Sequence, residues 1–234
     1  MLFAVKGLSK KFGNITALED VSFSVLAGEM LGLIGPNGAG KSTLFECLAG
    51  VLPADGGVVR PAKDSERRSL LFYVPDSIAP WAAQPVGWAL DFTIGFFGGR
   101  AAIRDELIEG LDLGQLLHQP IGTLSKGQRK RVLLGIGLLT PQPALLIDEP
   151  FDGLDLRQAR DIAKILRAQA AQGRTMFLSI HQIGDAARFC DRFVLLSSGR
   201  VCGEGTIADL ARLAAERDAS QSYETLEEVF LALT

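Results

Sequence analysis

An α/β fold with a parallel-sheet core, an antiparallel β apron and an inserted α-helical subdomain is predicted by three features of the 234-residue chain. The first is residues 35–43, Gly-Pro-Asn-Gly-Ala-Gly-Lys-Ser-Thr, which follow the apolar run 30–34 and precede a helical stripe of Leu44, Phe45, Leu48 and Ala49. Gly35, Gly40, Lys41 and Ser42 fill the pattern G-x-x-x-x-G-K-[ST], in which glycines let backbone N–H groups turn around phosphate oxygens and the lysine reaches the β/γ-phosphates. Strand, loop and helix in that order place the anion at a helix N-terminus. Pro36, Asn37, Gly38, Ala39 and Thr43 complete the cradle, and Ser42 is the natural Mg²⁺ ligand. The second feature is a set of short apolar runs at 69–74, 144–147 and 175–180, followed by Asp76, Asp148 and His181. Parallel α/β sheets gather ligands at that end of their strands. The third is the change of composition over 81–122, where Trp88, Phe92 and Phe96 recur at helical spacing. Together they predict a P-loop NTPase core.

Length and a hydrophobic content of 47% suffice for one large domain. A net charge of -3 gives no basic excess of the kind a phosphate-tracking surface shows, so no nucleic-acid partner is expected. The nearest basic run, Lys126, Arg129, Lys130 and Arg131, is expected on the exposed face of a helix. Cys47, Cys190 and Cys202 lack metal-ligand spacing and an even count, which suits a reducing, cytosolic setting. The first residues do not show the charged leader, apolar stretch and small-residue cleavage site of a signal peptide. The apolar stretch 86–99 is broken by Asp91 and glycines and is shorter than the about 20 residues that span a bilayer. Any membrane role is therefore expected to be indirect.

Residues 2–8 and 21–26 read as strands around a turn-rich segment at 10–16. Within that turn Phe12 has two readings, a platform for a nucleotide base or an aromatic folded back on the sheet. Residues 52–57 signal a turn, 58–60 a short strand and 63–68 a solvated charged loop. After Asp76, Ile103, Leu107, Leu111 and Leu116 suggest helices beyond the aromatic stripe, and that stripe is either core or a surface for a partner. Ser125 and Gln128 match a capping box ahead of a helix faced by Val132, Leu133, Ile136 and Leu139. A capped helix N-terminus with a serine hydroxyl is also an anion site.

The run 144–147 ends in Asp148 and Glu149, two acids with separable tasks. Asp148 is placed to hold Mg²⁺, and Glu149 to take a proton from attacking water. Residues 151–155 form a loop before a helix, and 175–180 deliver His181 to the same sheet edge, where an imidazole meets phosphate or orients water. His118, beside Pro120, reads as a surface residue. Residues 193–201 read as a hairpin, Thr206 and Asp209 open a helix, and 216–222 form a polar break. Thr225 and Glu228 cap the last helix, faced by Leu226, Val229, Phe230 and Leu233.

In their order these motifs resemble the nucleotide-binding subunit of an ATP-binding cassette (ABC) transporter over nearly the whole chain. The resemblance makes 35–43 the Walker A segment, 124–128 the family signature, 145–149 the Walker B strand with its catalytic acid, 151–155 the D-loop and His181 the switch histidine. It implies one ABC ATPase domain over 1–234, with a helical subdomain at 77–140 and a helical extension at 216–234. Phe12 falls where the family stacks adenine. ATP and Mg²⁺ are implied, with Lys41, Glu149 and His181 as catalytic residues. A second ABC subunit, identical or different, is expected to close head to tail on ATP, bringing Ser125, Gly127 and Gln128 to the nucleotide in trans. The implied product of this cycle is work on a separate transmembrane permease, expected to be an exporter, contacted through residues 76–97. Such a subunit is cytoplasmic and peripheral at the inner face of the cell membrane. The alternative is a soluble ABC ATPase acting on a non-membrane protein.

Two residues depart from the family pattern. Lys126 stands where glycine is commonest in the signature, adding a cation near the γ-phosphate or a steric limit on approach, and is expected to be tolerated because Ser125 and Gly127 are kept. Asp76 stands where a glutamine usually touches Mg²⁺, and is expected to hold the metal or its water.

Overall fold

The computed structural model describes residues 1–62, 67–76, 78–98, 100–218 and 223–234. Strands β1 (Phe3–Phe12) and β2 (Ile15–Val25) pair antiparallel, and β4 (Gly56–Pro61) joins the other edge of β1. The hairpin closes with Phe12 opposite Ile15, leaving only Gly13 and Asn14 between the strands. The turn expected over 10–16 is thus mostly strand, because Gly13 takes the positive φ of 58° that so tight a reversal requires. One face of this sheet buries Phe3, Val5 and Leu8 with Val21, Phe23 and Val25.

The second sheet contains β3 (Met30–Ile34), β5 (Leu71–Val74), β6 (Ala144–Asp148), β7 (Thr175–Ile180), β8 (Arg192–Ser197) and β9 (Arg200–Gly205), in spatial order β5-β6-β7-β3-β8-β9. Its first five strands run parallel and β9 returns antiparallel. Every residue of β3, β6 and β7 is buried, which is why these strands read as unbroken apolar runs. Side chains alternate between two cores: along β3, Leu31 and Leu33 join the core under the antiparallel sheet, while Met30 and Ile34 join the one beneath the helices.

The helices are α1 (Lys41–Ala49), α2 (Arg67–Leu70), α3 (Val86–Phe97), α4 (Arg104–Gly110), α5 (Lys126–Leu139), α6 (Leu156–Ala171), α7 (Ile183–Phe189), α8 (Ile207–Arg217) and α9 (Leu226–Leu233). Because α2 occupies 67–70, β5 starts at Leu71 rather than at 69. The charged loop expected at 63–68 lies outside the described residues at 63–66, and its last two residues belong to α2; of the polar break expected at 216–222, positions 216 and 217 instead end α8, and 219–222 lie outside the described residues. The helix expected through Leu116 is reduced to a 3-10 turn, Gly114–Leu116. The capping boxes at Ser125, Thr206 and Thr225 are formed, and Asp155 with Gln158 makes a fourth, at the start of α6.

The aromatic stripe on α3 is neither fully buried nor scattered. Trp81, Trp88, Phe92, Phe96 and Phe97 form a ladder with successive ring centroids 4.9–5.9 Å apart. Trp81, Trp88 and Phe92 are each about 40% exposed, and Phe96 70%.

At the opposite end of α5, Arg174 is buried without a carboxylate partner among its bonded groups. Its guanidinium donates to the carbonyls of Gly137, Leu138 and Gln142 and to the Thr140 hydroxyl, at 2.8–3.0 Å. Three of those acceptors lie in or just after the last turn of α5, where helical carbonyls lack intrahelical donors and the dipole favours a cation. Burial first, and then the Arg100 charge, bring its pKa down to about 9, so it remains a cation at neutral pH.

Candidate nucleotide site

The loop from Gly35 to Gly40 leaves the buried end of β3 and turns into α1 through Gly38 and Gly40, with φ of 81° and 103°. Gly40 is the N-cap of α1 and supplies no side-chain cap, so the first-turn N–H groups are left for an anion. A Cβ on Gly35 would lie 2.3 Å from the Leu196 carbonyl oxygen, and one on Gly40 2.6 Å from that of Ala17. Both obstacles are backbone, so the loop has no room to yield. Gly35→Ala is therefore expected to weaken ATP binding by at least about 10-fold, the loss of one or two backbone contacts. Equilibrium titration with a fluorescent ATP analogue checks this, and unchanged affinity would show that the loop relaxes around the methyl group.

Phe12, Thr16, Asn37, Lys41, Ser42 and Glu149 are among the walls of a cleft above this loop. Gly38, Gly40 and Thr43 also line it, whereas Gly35, Pro36 and Ala39 shape the turn behind, Ala39 N donating to Pro36 O. Phe12 is 48% exposed with the Lys10 ammonium 5.6 Å from its ring centre, so the aromatic is not folded into the core. Lys41 donates to the carbonyls of Gly35 at 2.8 Å and Pro36 at 3.3 Å, and its ammonium lies 3.7 Å from Glu149 Oε1.

The acids are held at the end of β6. Asp148 is buried, and both its oxygens accept hydroxyls, Oδ1 from Ser179 and Oδ2 from Tyr73 at 3.3 Å. Burial, and then the Asp148 charge, push the Tyr73 phenol pKa up and keep it a donor. Glu149 has a φ of 49°, a left-handed conformation that a non-glycine residue keeps only where its surroundings enforce it. They do so from both sides. Its N–H donates to Ser179 O and Oγ, at 3.2 and 3.1 Å, while its carbonyl accepts from Lys130 Nζ at 2.6 Å and Asp152 N at 3.2 Å. Its carboxylate lies between Lys41 and His181, with Oε2 2.6 Å from His181 Nδ1. Such a carboxylate, fixed at one oxygen by an imidazole and open at the other toward a phosphate cradle, can accept a proton from water.

Ser125, Gly127 and Gln128 do not line this cleft. They open α5, where the Ser125 hydroxyl accepts from Gln128 N at 3.3 Å and the Gln128 side chain accepts from Ser125 N at 2.9 Å. Lys126 pairs with Asp152 in the 151–155 loop, a bond that holds the lysine pKa up and the aspartate pKa down. Asp76, expected to hold Mg²⁺ or its water, stands just beyond β5, pairs with Lys130 and does not line the cleft. The basic run expected on an exposed face is therefore split: Lys126 is exposed and Arg129 half-buried, whereas its last two residues are buried. Lys130 and Arg131 are 3% and 9% exposed, and Arg131 donates to the carbonyls of Leu111 and Asp112 and to the Asp112 carboxylate. The reason is that α5 is buried at every position from Lys130 to Leu139, so it has no outer face there.

Tyr73, Ser179 and Lys130 are the site residues that sequence reasoning passed over. Ser179 left a trace, a hydroxyl inside an apolar strand opposite Asp148. Lys130 left none, since a lysine in a charged run normally marks solvent.

The donor set suits Mg²⁺ bound with phosphates. Asp148 and Ser42 supply hard oxygens, and no cluster of three or more metal-binding side chains exists among the described residues. Mg²⁺ typically uses one or two protein oxygens and completes its shell with phosphate and water.

A family model described as ABC transporter matches residues 18–152. The hemin import ATP-binding protein HmuV of Streptomyces coelicolor is 34% identical, over 98% of this chain and 86% of its own length. The Nod factor export ATP-binding protein I of Ralstonia nicotianae is 33% identical, over 87% of this chain and 67% of its own. A solved ATP-binding subunit of an ABC transporter superposes with a TM-score of 0.87 at 31% identity, covering 100% of this chain and 99% of that one. Walker segments, signature and overall fold therefore agree, and the chain belongs to the ABC transporter family, as an ATP-binding and ATP-hydrolysing subunit.

Proposed function

We propose that two such subunits close head to tail over two ATP molecules and that the cycle drives a separate transmembrane permease. The observation that carries this reading is the separation within one chain of the P-loop cleft from the N-terminus of α5: none of residues 124–128 lines the cleft. A polyphosphate bound there is enclosed only when a second chain presents Ser125, Gly127 and Gln128 to it, which also supplies the donors needed for charge that builds during phosphoryl transfer. The partner is a second copy or a related subunit.

The geometry supports the following residue roles. Phe12 stacks on the base, and the P-loop with Lys41 holds the phosphates. Ser42 and Asp148 hold Mg²⁺, which neutralises phosphate charge and polarises the reacting phosphoryl group when bound. Glu149 takes the proton of the attacking water. His181, bonded to Glu149 Oε2, fixes that carboxylate, and contact with the γ-phosphate is the role the family resemblance assigns it.

In this reading residues 77–140 form the helical subdomain, 216–234 an extension, and 76–97 the contact with the permease. No helix among the described residues is long and apolar enough to cross a membrane; in this reading a separate permease supplies the spanning part. The half-exposed ladder from Trp81 to Phe96 offers that chain an apolar, rigid landing surface. The subunit is then cytoplasmic and peripheral at the inner membrane face. Export, the direction expected from the sequence, has a relative with an export name at 33% identity, and an importer stands beside it at 34%. Direction in this reading is set by the permease.

The test is to isolate membranes from native cells expressing tagged Glu149→Gln protein, with ATP and Mg²⁺ present, and to identify what co-purifies. A polytopic membrane protein in stoichiometric amount is the expected result. A soluble partner instead would establish an ABC ATPase acting away from the membrane.

A further inference from the structure

We propose that Lys130 is a positioning residue for Glu149, and that Asp76 is the anion that keeps Lys130 in place. The inference rests on the reading of Glu149 as the base. The Lys130 ammonium has three donors and meets three acceptors: the Asp76 carboxylate, the Glu149 carbonyl at 2.6 Å and the Asp148 carbonyl at 3.5 Å. One buried cation thus ties together α5, the end of β5 and the turn after β6. The left-handed backbone at Glu149 is held at its N–H by Ser179 and at its carbonyl by Lys130, so the lysine is one of the groups that enforce the conformation aiming the carboxylate into the cleft.

Asp76 completes the arrangement. A buried ammonium persists only when it is paired and fully bonded. A neutral amide at position 76 would leave Lys130 without its counter-charge, and the lysine would no longer sit against Glu149. Asp76 and Lys130 therefore work as a matched pair, which accounts for an acid at a position where a glutamine is expected.

The test uses the purified full-length chain. Lys130→Met is expected to lower the rate of ATP hydrolysis by about 100-fold, the cost of misplacing a reacting group by roughly 1 Å. KM and the equilibrium affinity for a fluorescent ATP analogue with Mg²⁺ are expected to stay within about 3-fold, since Lys130 does not line the nucleotide cleft. In a Glu149→Gln background, single-turnover hydrolysis is expected to change by less than about 2-fold when Lys130→Met is added, because the group being positioned is already disabled. A full additional loss in that background would make Lys130 merely structural and overturn the proposal. If Glu149→Gln alone retains turnover, the reading of Glu149 fails instead, and the two failures are thereby distinguished.

A second measurement needs no turnover. In nucleotide-free thermal melts Asp76→Asn alone is expected to lower Tm, and Asp76→Asn with Lys130→Gln to recover at least half of the loss, the non-additivity of a broken and then removed buried pair. Additive losses would show that the two side chains are not a pair.

Discussion

Glu149→Gln is expected to lower ATP turnover by about 10²- to 10⁴-fold, the usual contribution of a general base, while ATP affinity is kept or improved. The substitution preserves shape. A glutamine side chain fits between Lys41 and His181 and still offers one oxygen to the imidazole, now 2.6 Å from Glu149 Oε2. It cannot take a proton from water. It also removes a negative charge 3.7 Å from the lysine that must meet the phosphates, so Lys41 loses a competitor for its attention to ATP. Slow hydrolysis and undiminished binding together predict a nucleotide-locked dimer, and size-exclusion chromatography with ATP and Mg²⁺ is the direct check. Unchanged turnover would remove Glu149 from the role. Equal losses of turnover and affinity would make it a binding residue.

Arg174→Met is expected to destabilise the fold by ~3 kcal/mol and lower Tm by roughly 6–12 °C. The substitution leaves three carbonyls and a hydroxyl, those of Gly137, Leu138, Gln142 and Thr140, without the donors they now share. Each buried acceptor left unmet costs ~1–3 kcal/mol, partly offset because the cation no longer has to be buried. The Thr140 hydroxyl limits the damage, since it also donates to Gly137 O at 2.7 Å. Arg174→Lys is expected to recover less than half, because one ammonium cannot span acceptors that a planar guanidinium fork reaches together. A Tm change below about 2 °C in the methionine variant would show that the carbonyl bonds merely balance the burial of the charge.

The fold was legible in this sequence wherever one periodicity ruled. The buried strands β3, β6 and β7 appear as unbroken apolar runs, and the helix starts at Ser125, Thr206 and Thr225 are spelled out by side chains that cap them locally. The phosphate cradle was legible for the same reason, since its residues are adjacent in sequence and its glycines are required by local backbone geometry. What escaped depends on distant pairs. Lys130 meets Asp76 across 54 positions and Glu149 across 19. Arg174 closes α5 from more than 30 residues away. In each case a basic side chain looks solvent-facing until the chain folds a ring of oxygens around it. The tip of the antiparallel hairpin is hidden in the sequence for a different reason. Polar residues at 10–16 suggested a loop, yet an exposed strand face is polar as well.

The ladder on α3 also makes the chain its own reporter. Its two tryptophans, Trp81 and Trp88, are the only ones in the sequence, and their rings lie 5.8 Å apart, edge to face, each about 40% exposed. All tryptophan emission therefore originates at one patch of the surface. Drying of that patch by a docking protein shifts the emission to the blue, and nucleotide bound in the P-loop cleft, which neither tryptophan lines, leaves it unchanged unless motion travels between them. A single unlabelled spectrum, taken with ATP and then with partner, separates the two events.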